Sequence, residues 1–222
     1  MPDSTQKAPG VKPEILAPAG DKESFLAAVS AGADSIYCGL KHFSARMQAE
    51  NFSIPELARL AQLGRKYGCQ TYIAFNSLIK PDEIEQAGRL VQRIVDTVQP
   101  KALIIQDLAL VNLARQLGYS GQIHLSTLAA MSSMRALPML RDMGISRVVL
   151  PRELSIDEIK GMADVCPQGL DLETFVHGAL CYAVSGRCYW SSSLGGKSGL
   201  RGRCVQPCRR QYTHLGKTER FF

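Results

Sequence analysis

The 222-residue sequence has no run of about 18 apolar residues, so no transmembrane helix is read in it. Its first dozen residues, MPDSTQKAPGVK, hold no apolar stretch of the kind a secretory signal needs, and a cytoplasmic protein is expected. That compartment keeps thiols reduced, so the seven cysteines are not expected to form disulfides. No GxGxxG or GxxxxGK(S/T) loop follows the first apolar run, which argues against a nucleotide-binding sheet. HExxH, GxSxG and an ordered Ser–His–Asp set are also missing, removing the common zinc- and serine-hydrolase signatures. Tight C-x2-C knuckles of the structural-zinc kind do not occur either.

What is present is a repeating alternation. Apolar runs at 14–20, 35–40, 70–76, 102–107, 122–127, 146–151 and 171–178 read as strands, with amphipathic helical segments between them. The runs are apolar throughout rather than alternating, as expected of a parallel sheet covered on both faces. Seven strand–helix units in series predict a TIM-like (β/α) barrel, incomplete within this sequence because no eighth strand is visible before Phe222. Either further sequence closes the barrel or the final segment stands in for that strand. The expected organisation is a flexible N-terminal extension over 1–13, barrel units over 14–178, and a Cys/Arg/Gly-rich segment over 179–222.

Such barrels carry their chemistry at the carboxyl ends of the strands. Those positions here hold Gly20 and Asp21, Cys38 and Gly39, Asn76, Gln106 and Asp107, Ser126 and Thr127, Arg152 and Glu153, and His177. Taken singly, each is as well explained as a capping or turn residue; as a ring, they line a polar pocket.

The final segment is the unusual part. Between Val176 and Phe222 lie eight Lys/Arg and one acid, a charge of +7 in a chain whose total is +6. A field of that kind favours an anionic cluster, an anionic substrate or a nucleic-acid backbone. The same segment holds Cys181, Cys188, Cys204 and Cys208 among glycines and arginines. Zinc is disfavoured by the spacing. Gln211 occupies the position where a radical S-adenosylmethionine motif needs its third cysteine. A catalytic Cys181 paired with His177 would leave three thiols idle. A 4Fe–4S centre accounts for more of the surroundings, taking four thiolates with Arg187, Arg203 and Arg209 beside the ligands to offset its negative charge. Cys69 and Cys166 read as core or helix-end residues, and Cys38 ends a strand.

The stretch ETFVHGALCYAVSGRCYWS, Glu173 to Ser191, resembles the signature of the U32-type, collagenase-like peptidase family, with Trp190 replacing the usual aliphatic residue. PEILAPAGDKESFLAAVSAGADSIYCGL and FSARMQAENFS look like that family's N-terminal barrel, so the resemblance covers about 14–212. Within the family, SGRCYWS with RGRCVQPCRRQY is most similar to the bacterial proteins that hydroxylate ribosomal or transfer RNA. The resemblance implies an oxygen-independent RNA hydroxylase with a 4Fe–4S cluster on Cys181, Cys188, Cys204 and Cys208, and prephenate as hydroxyl donor. It also implies that family members run further, so this chain reads as the front portion of a larger protein or a truncated product.

His177 and Glu153 are the candidates for proton handling and Arg152 for anion binding; Asn76, Asp107, Arg187, Arg203 and Arg209 are candidates for substrate contact. Tyr182 and Trp190 are core residues or base-stacking groups. Two alternatives remain: a U32-type peptidase, with Asp107, Glu153 and Glu173 as possible metal carboxylates, and a zinc-bearing RNA-binding module.

Overall fold

The computed structural model describes residues 12–47, 49–214 and 216–220; of the expected extension over 1–13, residues 1–11 lie outside the described residues. Seven strands, β1 (Leu16–Ala19), β2 (Ser35–Gly39), β3 (Gln70–Phe75), β4 (Ala102–Ile105), β5 (Gln122–Leu125), β6 (Arg147–Val149) and β7 (Asp171–Glu173), form one sheet in chain order. Every neighbouring pair is parallel. Between them run α1 (Lys22–Ser30), α2 (Ile54–Lys66), α3 (Ile84–Thr97), α4 (Ala109–Gln116), α5 (Leu137–Asp142) and α6 (Ile156–Asp164).

Local chemistry sets the helix starts. Asp21 caps α1 and Ser155 caps α6, each in a reciprocal box with Ser24 and Glu158 respectively. Ser53 accepts the Glu56 N–H at the head of α2. Pro138 fits the first turn of α5, where a missing N–H costs nothing.

Successive strand residues face opposite sides, and the two faces bury different things. Ile36, Cys38, Ile73, Phe75, Leu103, Ile105, Ile123, Leu125, Val148 and Leu150 pack outward against Leu57, Val91, Ile94, Leu110, Leu137 and Met162 of the helices. The inner face holds a smaller apolar cluster of Tyr72, Ala102 and Ile104, flanked by Leu16 and Tyr37. Cys38 and Cys69 are fully buried in the outer layer, and Cys166 packs against it.

The sheet curls. Arg147 Nη2 on β6 donates to Glu14 Oε2, just ahead of β1, at 2.7 Å. In a flat sheet those strands would stand five spacings apart, about 24 Å, beyond the reach of two side chains. Ser35 and Tyr72 each donate to Glu14 Oε1 at 2.5 Å, and Arg147 also reaches Glu173 and Asp171 at 3.5 Å. The Arg147 guanidinium lies 5.8 Å over the Tyr72 ring, whose edge meets His124 at 4.9 Å. Together these groups plug the amino-terminal end of the barrel.

Two expectations need correction. The seventh strand was expected over 171–178, but pairing stops at Glu173, so His177 lies in a loop and not at a strand end. Only β6 pairs with β7, and without a neighbour on its other side nothing extends it. The final segment does not take the place of an eighth strand: β8 (Gln211–His214) and β9 (Lys217–Arg220) pair antiparallel with each other in a separate hairpin.

The plug makes a stability prediction. Burial alone would raise the Glu14 pKa, but the hydrogen bonds from Arg147, Ser35 and Tyr72 outweigh it and lower it from 4.5 to about 2. Arg147→Met strands a partly buried carboxylate and is expected to cost about 3 kcal/mol. In a chain this size that is on the order of 10 °C of melting temperature, measurable by circular dichroism. Because Glu14 titrates lower when folded, its contribution is complete above pH 4.5 and is lost as the pH falls towards 2. The gap in stability between wild type and Glu14→Gln should therefore close across that window.

Candidate functional site

Beyond Glu173 the chain leaves the sheet and crosses the carboxyl ends of the strands. It carries one short helix, α7 (Trp190–Gly195), and 3-10 turns at Gly199–Arg201 and Pro207–Arg209. Three strand-end loops hold this segment down through hydrogen bonds and an ion pair. Glu153, after β6, accepts the Ser185 N–H at 2.5 Å. The Leu200 carbonyl accepts the Leu78 N–H after β3, and the Gly202 carbonyl accepts the Met47 N–H after β2, both at 3.2 Å. Arg201 forms an ion pair with Glu83.

Two glycines make the close approach possible. Gly186 and Gly202 have φ of +67° and +71°, and a Cβ on either would fall into a backbone carbonyl, Leu128 and Ser44 respectively. The left-handed backbone and the lack of a side chain are both required here.

Within the segment, Arg209 Nη2 donates to the Leu180 carbonyl at 2.6 Å, tying the residue before Cys181 to the residue after Cys208. The Ser191 hydroxyl accepts the Val205 N–H at 3.0 Å, and Cys204 Sγ accepts the Gln206 N–H at 3.4 Å. Burial raises the Cys208 pKa, and negative charge on Cys181 and Cys204 raises it further. These three thiols therefore share one electrostatic neighbourhood. Cys208 and Cys188 are half-buried, Cys181 and Cys204 exposed. Among the described residues no three His, Cys, Asp or Glu side chains stand in a metal-holding arrangement. In donor chemistry the group suits a thiolate-bound centre, but the side chains as they lie do not close a ligand set.

The other expected residues fall into two groups. Asn76 and Asp107 are engaged in shaping the mouth. Asn76 accepts the Ala45 N–H at 2.9 Å and donates to the Ser126 hydroxyl at 3.3 Å. Asp107 accepts the N–H groups of Ile79 and Ala109 at 3.2 and 3.1 Å. By contrast, Arg152 stacks its guanidinium 5.5 Å over the Phe175 ring while its Nε stays buried with no partner. Gln106 gives its amide N–H to the Leu128 carbonyl, and its Oε1 is buried and likewise unpartnered among the described residues. Burial pushes the Glu153 pKa up, but the Ser185 hydrogen bonds bring it below the ordinary carboxylate range. His177, Arg187 and Arg203 are exposed.

The three carboxylates considered for hydrolysis do not converge. Asp107 accepts the Ala109 N–H ahead of α4, Glu153 anchors the crossing segment, and Glu173 lies beside Arg147 at the opposite end. The amino-terminal plug itself escaped sequence reading. Taking every second residue of each run would have exposed it, since Ser35, Tyr72, His124 and Arg147 interrupt apolar strands on one face only.

These features define a TIM-like barrel whose carboxyl end is covered by a basic, thiol-bearing segment. The chain belongs to peptidase family U32, whose family model matches residues 20–220. A tRNA hydroxylation protein of Bacillus subtilis is 33% identical over 90% of this chain and 47% of its own length. A 23S rRNA 5-hydroxycytidine synthase of Escherichia coli is 36% identical over 90% of this chain and 30% of its own. A collagenase of Porphyromonas gingivalis is 37% identical over 90% of this chain and 50% of its own. The chain thus spans half the length, or less, of these curated relatives. A solved U32 peptidase superposes with a TM-score of 0.65 at 14% identity, covering 81% of this chain and 74% of that one, a likeness in fold. No helix among the described residues is long and apolar enough to cross a membrane.

The glycine contacts generate a prediction. Gly202→Ala should lift the segment off the barrel mouth while leaving the core intact, costing more than about 1 kcal/mol locally. Limited proteolysis should then cut within 180–210 faster than in wild type, with circular dichroism unchanged. Equal cleavage rates would show that the segment is held elsewhere.

Proposed function

We propose that this chain is the barrel portion of an enzyme that hydroxylates RNA, tRNA or rRNA, without molecular oxygen, using a 4Fe–4S cluster held by Cys181, Cys188, Cys204 and Cys208. The observation that carries this reading is the hydrogen bond from Arg209 to the Leu180 carbonyl, which ties the chain beside Cys181 to the chain beside Cys208. The names of the Bacillus and Escherichia relatives support the RNA substrate. When bound, such a cluster supplies one-electron chemistry.

The chain's own residues would do the rest. Arg152, stacked on Phe175 with a buried N–H to spare, binds the carboxylate of a small donor such as prephenate. Glu153 is ionised at neutral pH and accepts a proton rather than giving one. His177, on the exposed loop beyond β7, is the mobile proton carrier. Arg187 and Arg203 neutralise RNA phosphates.

Anaerobic reconstitution of the full-length protein should yield about four iron and four sulfide per chain. Serine at any of the four segment cysteines should lower that content, whereas Cys166→Ser should not. Stoichiometric zinc with no uptake of iron would overturn the reading. Mass spectrometry of RNA from strains with and without the gene tests the reaction itself.

A second reading, peptide hydrolysis, is favoured by the names of the family and of the Porphyromonas relative. It requires gelatin cleavage that survives serine at all four cysteines.

A further inference from the structure

Gln106 follows β4 and, by the alternation of the strand, continues the inner-face series of Ala102 and Ile104. It stands at the carboxyl end of the barrel interior and is only 7% exposed. The orientation of its amide is fixed. The Leu128 carbonyl can only accept, so the NH2 group must face it, at 3.1 Å, and Oε1 must face away. Among the described residues Oε1 is buried without a partner, an acceptor that only an incoming O–H or N–H can satisfy.

A chain of close contacts leads from there to Arg152. The Leu128 carbonyl that holds the Gln106 amide is also the atom against which Gly186 packs. Ser185, one residue earlier, gives its N–H to Glu153 at 2.5 Å, and Arg152 precedes Glu153 in the chain. Arg152 Nε is the opposite case, a buried donor with no acceptor among the described residues. Burial raises the Tyr37 pKa, and the charges of Arg46 and Arg152 work against that rise. Tyr37 packs on the inner cluster of the sheet, so the Arg152 charge acts on the same interior that Gln106 lines.

The two unmet atoms ask different things of a ligand. Arg152 needs an acceptor such as a carboxylate oxygen. Gln106 needs a donor. An ammonium would serve, but two arginines act on this interior, and Glu173, the acid that also acts on it, is paired with Arg147. A neutral hydroxyl meets no such repulsion.

We infer that Gln106 is a specificity-determining residue for the small donor, accepting the hydroxyl of a hydroxy acid whose carboxylate meets Arg152. The inference rests on the donor reading above and adds to it the residue that tells a hydroxy acid from a plain one. A site built to receive a hydroxyl rejects the analogue without it, because its acceptor is then left unmet.

Calorimetric titration of the full-length protein tests this with prephenate and with the analogue bearing hydrogen in place of the hydroxyl. Wild type should bind prephenate about tenfold more tightly than the analogue. Gln106→Met should lose about tenfold for prephenate and nothing for the analogue, erasing the preference. Arg152→Met should weaken both acids by the same factor and keep the preference, since both carry the carboxylate. A Gln106 that only braces Leu128, or that is satisfied by a trapped water, would leave the preference intact in Gln106→Met, and that result overturns the proposal. Unchanged binding of both acids by Arg152→Met overturns it as well. So does equal affinity of wild type for the two acids, a comparison that needs no variant to fold. Equal affinity leaves the donor reading standing, whereas binding of neither acid sinks both.

Discussion

Arg147 joins the far strands of a sheet whose edges do not pair. It reaches from β6 to Glu14 ahead of β1, and in doing so fixes the curl on which the other features rest. A flat sheet of the same strands would spread its carboxyl ends along a line. Curled, it brings the loops after β2, β3, β5 and β6 around one mouth, where a single crossing segment touches them all. The ion pair is partly buried, so its cost in desolvation is offset by the hydroxyls of Ser35 and Tyr72 as well as by charge. The same environment keeps His124 neutral: burial, then the nearby Arg147 charge, lowers its pKa to about 3.

The two ends of the barrel are built on different physics. At the amino end, charged groups are paired, hydrogen-bonded and shielded, and their work is structural. At the carboxyl end, Arg187, Arg203, Cys181 and Cys204 are exposed on a segment held by backbone contacts through glycine and by single anchors from Glu153 and Glu83. The RNA partner proposed above would need that openness, and stability must then come from elsewhere. The buried, unpartnered polar atoms of Gln106 and Arg152 belong to this end as well. Such atoms are costly unless something meets them.

Much of the architecture was legible in the chain. All seven strands and the six helices between them follow from apolar runs, caps and proline positions, because those signals are local. Cys38 and Cys69 proved to be core residues, consistent with strand and strand-entry positions. The candidate site was legible in part. Cysteine spacing and arginine density marked the segment, but Asn76 and Asp107, expected at substrate, turned out to be holding loops. Strand-end position alone does not distinguish a residue that faces a ligand from one that ties down its neighbour.

What the sequence determined by itself is whatever depends on near neighbours: element type, parallel order, a positive tail and the presence of four thiols within it. Tertiary structure alone decided which residues separated by a hundred positions would meet. Glu14 with Arg147 and Glu83 with Arg201 are outcomes of how the sheet curls and where the last segment lands. No local pattern encodes such contacts, because their energy exists only after the intervening chain has folded.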